Sequence, residues 1–300
     1  ICKNKKDVKL FLARHIMPIV VKADGLASGK GVVICQSKKE VERFSGEIFL
    51  GKFKSSKKLI LEEFLEGEEV SYFLIVDKKK FLFMGSAQDH KRVGENETGP
   101  NTGGMGAYSP SPIINKNLEN KIINKIVKPT LQALKSMNQP YTGFLYVGLM
   151  IKNNEPYLIE YNVRMGDPEC QVIMPRLKTD LVQLLNASVE NKLNKVRIKW
   201  SKDKCMTIVL CSKGYPNKYV NHKRINLLNA RLTKKSFIFH AGTKMKKNLL
   251  FSNGGRVLNI VVLGSTFLKI KYQIYKIIKT INWKYGFFRR DIGWRVIKKK

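Results

Sequence analysis

Acidic side chains are scarce in this 300-residue chain: 23 Asp and Glu stand against 56 Lys and Arg, for a formal charge of +33. Such an imbalance invites a nucleic-acid reading. The cations, however, are 44 Lys and only 12 Arg, spread along the whole chain, and Arg is the planar fork that suits bidentate phosphate and base contacts. Non-specific polyanion binding at low salt follows from the charge; a specific nucleic-acid partner does not. Histidine is rare as well, with four scattered residues, so the His/Cys spacing of a zinc site is missing. The five cysteines are odd in number and contain no CxxC pair, which argues against a disulfide framework. No apolar run approaches the about 20 residues of a membrane span; residues 144–151 (FLYVGLMI) are among the longest. The basic N-terminus ICKNKKDVKL leads into no apolar export segment. The expectations are no membrane partner, and reduced thiols in a cytoplasmic compartment.

What is present is enough to fold. With 43% hydrophobic and 10% aromatic residues, the chain can offset its ordering entropy by burial, and its length suits about two domains. Residues 1–18 read as a short helix with Val8, Leu10, Phe11 and Leu12 apolar among lysines. Strands are expected at 19–21, 32–35, 59–65, 81–84 and, as an alternating run, 70–76. Residues 94–112 hold Gly, Asn, Thr and Pro with little periodicity and read as a long loop, ordered or mobile, of the length that tends to be functional. Leu118, Ile122, Ile126 and Leu134 give a helical face, with Pro129 predicting a kink or a new first turn. Residues 144–151 and 157–161 read as an antiparallel pair turned at Asn153-Asn154, and Thr179 as the cap of a helix carrying Leu181, Leu184, Leu185 and Val189. After residue 195 the pattern changes to short strands at 206–211, 237–240 and 256–263, then a helix from near Thr266.

Four segments carry chemistry. In VVKADGLASGKGVVI (20–34) a strand lysine, Lys22, precedes a loop with Gly25, Gly29 and Gly31, which lets backbone N–H groups approach an anion. By itself the pattern fits a glycine-rich hairpin with incidental lysines equally well. LILEEFLEGEEVS (59–71) places five of the scarce acidic residues between Glu62 and Glu69, directly after an apolar strand. A strand end can offer backbone groups to an adenine edge, and Glu69 could accept ribose hydroxyls; a solvated acidic turn is the plainer alternative. In LIEYNVRMGDPE (158–169), period-two geometry puts Glu160 and Asn162 on one face, as hard oxygen ligands suited to Mg²⁺ or Mn²⁺, with Arg164 and Asp167 following. SAQDHKRVGENETGPNTGGMGAYSP (86–110) sets Asp89, His90, Lys91 and Arg92 beside a Gly/Asn/Thr loop that could close over an intermediate.

Taken in order with EEFLEGEEVS, YTGFLYVGLM, HAGT, GGRVLNIVVLG and RRDIGWR, these segments resemble the glycinamide ribonucleotide synthetase (phosphoribosylamine–glycine ligase) family of the ATP-grasp superfamily, in register from about Pro18 to Arg295. The resemblance implies an α+β ATP-grasp fold, two subdomains clasping ATP, followed by a small mixed β-rich C-terminal domain. The expected boundaries are 1–18 as a remnant of a preceding region, 19–192 for the ATP-grasp domain (19–76 and 77–192), and 193–300 for the C-terminal domain. It implies ATP-dependent ligation of glycine to 5-phosphoribosylamine through glycyl phosphate, in de novo purine synthesis.

By the same resemblance, Lys22 and the loop with Gly25, Ser28, Gly29 and Gly31 cover the ATP phosphates. Glu62, Glu63, Phe64 and Leu65 form the adenine hinge, Glu69 holds the ribose, and Asn101 lies near the phosphates. Glu160 and Asn162 bind Mg²⁺ or Mn²⁺, while Asp89, Arg164 and Asp167 orient glycine and phosphoribosylamine. Seven of the arginines, Arg92, Arg164, Arg176, Arg256, Arg289, Arg290 and Arg295, fall inside matching motifs, where the planar fork matters. By the resemblance, residue 1 falls where the family's central region begins, so the expectation is a sequence without the family's N-terminal α/β domain and without the strand and helix usual between ARHIM and PIVVKADG. Three explanations are open: the sequence is a fragment of a longer product, it pairs with a separate N-terminal polypeptide, or it is a decayed enzyme. An ATP- and Mg²⁺-binding remnant without turnover is the alternative to a working ligase.

Overall fold

The computed structural model describes residues 1–25, 31–54, 56–227 and 230–297. It divides into two compact units, Ile1–Glu66 and Gly67–Lys300.

In the first unit, strands Val32–Cys35, Ile19–Ala23 and Leu59–Glu63 form an antiparallel sheet in that order. Alternation buries Ile19 and Val21 on one face of the central strand. Two helices cover that face. Lys5–Arg14 begins at Asn4, whose side-chain oxygen accepts the backbone N–H groups of Lys6 and Asp7 at 2.9 and 3.1 Å. Lys38–Phe49 begins at Ser37, which accepts the Glu40 N–H, while the Glu40 carboxylate accepts the Gln36 N–H at 2.8 Å. Val8 and Leu12, one turn apart, pack with Val41, Phe44, Ile48, Leu59 and Leu61. Residues 1–18, expected as a remnant of a preceding region, pack into the core of this unit. Cys2 and Leu59 exchange backbone hydrogen bonds at 2.8 and 3.0 Å, and Val8 and Leu12 belong to this core.

The second unit is built on a sheet whose pairings are all antiparallel. Its order is Glu155–Asn162, Gly143–Lys152, Glu68–Val76, Phe81–Asp89, Gly106–Ser109, Lys204–Ser212, Arg256–Gly264 and Ser236–His240, with Gly286–Phe287 added against Lys204–Ser212. The strand Glu68–Val76 is buried from Val70 onward and does not alternate. Both of its faces are covered. Val70, Tyr72, Leu74 and Val76 pack on Leu118, Ile122 and Val127. Phe73 and Ile75 pack on Val172, Ile173, Leu184 and Leu193. A strand buried on two sides reads as a continuous apolar run, which YFLIV is.

Two expected boundaries shift for the same reason. A division after residue 76 would cut Glu68–Val76 from its ladder partners, so the units separate at Glu66/Gly67 instead. The strands expected in a separate C-terminal domain continue the sheet of residues 67–192 through Gly106–Ser109, which pairs with Phe81–Asp89 on one side and Lys204–Ser212 on the other.

Helices Lys116–Ile122 and Lys128–Ser136 are joined by a π-turn at Ile123–Val127, with Pro129 in the first turn of the second helix. The helix Leu181–Val189 is capped by Asp180, whose carboxylate accepts the Gln183 N–H at 2.8 Å. Thr179 is not the cap, because its hydroxyl is engaged with the backbone of Arg197 and Lys199. Residues 94–112 hold regular structure, with strands Arg92–Gly94 and Thr98–Asn101 forming a hairpin before Gly106–Ser109. Among the described residues, no helix is long and apolar enough to cross a membrane.

Candidate functional site

In the first unit Lys22 and Glu62 sit on neighbouring strands, two register positions apart (Lys22 opposite Ile60, Val20 opposite Glu62), and so share a sheet face. Their side chains form an ion pair at 2.5 Å, with Lys22 16% exposed and Glu62 41% exposed. Glu62, expected on the adenine side, therefore also fixes the ammonium expected to serve phosphates. The Ala23 N–H donates to Gly31 O at 2.8 Å and the Gly25 N–H to Ala23 O at 3.1 Å, which holds both ends of the glycine loop to the strand. Ser28 and Gly29 lie outside the described residues. Glu63 ends its strand exposed; Phe64 and Leu65 follow, half-buried, in the connection to the second unit.

In the second unit Glu160 and Asn162 lie at the end of the sheet's edge strand, opposite Gly148 and Tyr146. Asn162 Nδ2 donates to Glu160 Oε1 at 3.2 Å, so an amide and a carboxylate stand side by side as the period-two spacing requires. A Cβ on Gly148 would come within 3.0 Å of Glu160 Cγ, so glycine there leaves room for the carboxylate. Among the described residues, no group of three or more His, Cys, Asp or Glu is arranged as a metal site. Two hard oxygen donors fit a cation that brings further oxygens with it, from water or phosphate.

A second cluster gathers at the end of strand Phe81–Asp89. Lys91 Nζ pairs with the Glu69 carboxylate, and the Glu69 carbonyl accepts Gln88 Nε2 at 3.1 Å. Ser71 is hydrogen-bonded to both Tyr146 and Glu169, each at 3.0 Å, and Glu169 is buried. Loss of water pushes the Asp89 carboxyl up to about 8, against the pull of Lys91 and reinforced by the Glu169 and Glu69 carboxylates. Burial likewise raises Glu169, although its own backbone N–H and Ser71 oppose the shift. Burial disfavours the Lys91 ammonium, but Asp89 and Glu69 outweigh it and keep the lysine charged.

The Asn101–Met105 turn is fastened at each residue from Thr102 onward. Thr102 N–H and its hydroxyl both donate to Lys91 O, at 2.7 and 2.8 Å. Gly103 N–H donates to the Tyr215 hydroxyl at 2.9 Å, Gly104 N–H to Thr102 Oγ1 at 3.0 Å, and Met105 N–H to His90 O at 2.8 Å. Asn101 is exposed at its start. Asp167 is half exposed and receives Arg256 Nη2 at 3.0 Å and Gln171 Nε2 at 2.8 Å. Arg164 is exposed and bonds to Met165 O at 3.0 Å.

Beyond the expected residues, Glu97 is a hub. Its Oε1 accepts His90 Nδ1 (3.1 Å), Arg289 Nη2 (3.1 Å), Arg295 Nη2 (3.2 Å) and Trp294 Nε1 (3.4 Å). Burial opposes its charge, but hydrogen bonds from His90 and Arg289 prevail and hold it well below the usual carboxylate range. The Gly293 N–H donates to His90 Nε2 at 3.0 Å, which puts the ring proton on Nδ1. Burial lowers the His90 pKa, so the ring is neutral. The segments QDHKRVGENETG and RRDIGWR thus meet in space. Their concentration of arginines in a lysine-rich chain was the available signal; the individual partners were not readable from it.

The structure therefore brings together Lys22 with Glu62, Glu160 with Asn162, Lys91, two residues after Asp89, with Glu69, and Asp167 with the turn that follows Asn101, through Arg256 bonded to Gly103 O and Asp167 Oδ2. The model of the phosphoribosylglycinamide synthetase ATP-grasp (A) domain matches residues 1–170, and that of the C domain matches residues 205–295. A phosphoribosylamine–glycine ligase of Brucella melitensis is 42% identical over 302 residues, covering 99% of this chain and 70% of that protein. A crystal structure of the phosphoribosylamine–glycine ligase of Thermotoga maritima superposes with a TM-score of 0.86 at 32% identity, over 97% of this chain and 72% of the other. The biotin carboxylase domain of Hydrogenobacter thermophilus 2-oxoglutarate carboxylase, solved with MgADP and bicarbonate, has a TM-score of 0.69 at 16% identity, over 96% of this chain and 62% of the other. It shares the fold.

Proposed function

The chain belongs to the phosphoribosylglycinamide synthetase family, and from that premise we propose how its residues divide the work of an ATP-dependent ligase. The reaction joins glycine to 5-phosphoribosylamine, giving glycinamide ribonucleotide, ADP and phosphate, in purine biosynthesis. The glycine carboxylate takes the γ-phosphoryl group to give glycyl phosphate and ADP. The amine nitrogen then attacks the acyl carbon, phosphate leaves with the C–O electron pair, and the amine loses a proton. No enzyme nucleophile is needed, so catalysis rests on positioning and charge neutralisation.

Lys22 and the loop of Gly25, Ser28, Gly29 and Gly31 serve the phosphates, with Glu62 paired to Lys22. Glu62 to Leu65 offer a strand end to adenine, Glu69 serves the ribose with Lys91 setting its orientation, and Asn101 lies toward the phosphates. Glu160 and Asn162 hold Mg²⁺ or Mn²⁺, which supplies charge neutralisation on the transferred phosphoryl group. Asp89, Arg164 and Asp167 orient glycine and the amine. The observation that carries this reading is the Glu160–Asn162 pair, two adjacent oxygen donors on one strand face with a glycine opposite to make room. All five cysteines are free thiols, which supports a reducing, cytoplasmic setting.

Phosphate release should require ATP, Mg²⁺, glycine and phosphoribosylamine together; release that is indifferent to omitting glycine would refute the assignment. The chain spans about 70% of the Brucella ligase, and the assay is run with and without a polypeptide matching the remainder, a partner this reading allows.

Asp89 adds a pH signature. A carboxyl pushed up to about 8 is neutral below that pH, and it must ionise to face the ammonium of glycine. We expect kcat/KM for glycine to climb as pH rises through about 8, and Asp89→Asn to flatten that limb. An unchanged profile in the variant would remove Asp89 from the glycine site.

A further inference from the structure

We propose that Arg256 is a positioning residue of the ligase, tying the Gly103–Gly104 turn to the Asp167 loop so that both present one fixed surface to the amine and glycine. The inference rests on the ligase reading and extends it to a residue outside the substrate-facing set. Arg256 opens strand Arg256–Gly264. Its guanidinium donates through Nη1 to Gly103 O and to Asp167 O, the latter at 2.8 Å, and through Nη2 to Asp167 Oδ2 at 3.0 Å. One planar group therefore holds two segments more than sixty residues apart in the chain. A lysine ammonium would offer a point charge without the fork.

The glycines record how close the approach is. A Cβ on Gly103 would stand 2.9 Å from Arg256 Cζ, and one on Gly104, whose φ is +108°, would stand 2.4 Å from Pro168 Cδ. The turn lies flat on Arg256 and Pro168, and any side chain would lift it off. One of its other anchors is Lys91, whose carbonyl accepts both Thr102 groups. Arg256 thereby links the turn anchored on Lys91 directly to Asp167, beside the Ser71–Glu169 bond that ties the Asp89 cluster to the residues just after it.

The test compares wild type, Arg256→Lys and Arg256→Ala by steady-state kinetics and by amide hydrogen exchange at residues 101–105 and 165–168. Losing charge-assisted bonds of this kind should raise KM for glycine or phosphoribosylamine by about 10- to 100-fold while KM for ATP changes by less than about twofold. Both loops should exchange faster in Arg256→Ala, and Arg256→Lys should recover part of the loss. Because Arg256 acts partly through Asp167, adding Arg256→Ala to Asp167→Asn should cost much less than it does in wild type. Equal losses for ATP and acceptor, multiplicative effects in the double variant, or unchanged exchange at the two loops would overturn the proposal. An inactive wild type whose loops still loosen in Arg256→Ala would instead refute the ligase reading and leave the fastening role standing.

Discussion

Alanine at Glu160 is expected to cut turnover by about 10²- to 10³-fold, the scale of removing one charge-stabilising group from a transition state. Glu160 is exposed on an edge strand, and its carboxylate is held by Asn162 Nδ2 at 3.2 Å. The variant keeps its core, so the melting temperature should stay within about 1–2 °C of wild type. On the proposed assignment, the variant would lose the charged half of the donor pair and leave only Asn162, a neutral ligand that cannot offset a cation's charge. Single-turnover phosphate release against Mg²⁺ and Mn²⁺ concentration separates the effects: the metal requirement should move to higher concentration in Glu160→Ala, and Glu160→Gln should resemble it despite its conserved volume. A Glu160→Ala enzyme within about fivefold of wild type at low metal would exclude this pair as the metal site.

Arg289 should be costly to remove for stability although it is a charged residue. It is 1% exposed and makes four directed contacts: Nε to Asp291 Oδ1 at 2.8 Å, Nη2 to Asp291 Oδ2 at 2.6 Å and to Glu97 Oε1 at 3.1 Å, and Nη1 to Arg92 O at 2.9 Å. Breaking a buried pair by removing one partner costs about 3–5 kcal/mol. The lower end applies here, because Glu97 is 30% exposed and can rehydrate in part. Arg289→Ala should therefore lose about 3 kcal/mol, or about 5–10 °C in melting temperature, with Arg289→Lys intermediate. A loss under about 1 kcal/mol by urea unfolding would show the hub to be unimportant.

The same hub sets an acid limb. Glu97 and Asp291 are both held below their usual range, because Arg289, joined by His90 at Glu97, outweighs the burial that opposes their charge. Their folded pKa values lie below the unfolded ones, so their contribution is present above about pH 4 and is lost as pH falls further. His90, lowered by burial, takes up its proton more readily unfolded, so stability also falls as pH drops below about 6.5. In Arg289→Ala the carboxylate part of the limb should shrink, because its main counter-charge is gone.

Local features are legible in the sequence itself. Most strands, the Asn153-Asn154 turn and the late helix at Thr266 fell where pattern placed them, because side-chain periodicity and capping act within a few residues. Two misreadings have physical causes. The run 70–76 reads as alternating if one sheet face is assumed wet, and the assumption fails once helices cover both faces. Thr179 reads as a helix cap on residue type alone, but a contact to residues 197–199 claims its hydroxyl and leaves Asp180 to cap.

The order of motifs along the chain was sufficient for its family, and the two-residue spacing of Glu160 and Asn162 was sufficient to pair them, since both are properties of contiguous chain. Tertiary structure alone decided that Glu62 meets Lys22, that Glu69 meets Lys91, that Arg256 spans Gly103 and Asp167, and that Arg289 reaches Arg92 O and Glu97 across 197 and 192 residues. Those contacts depend on the register and packing of distant segments, and no local preference carries that information.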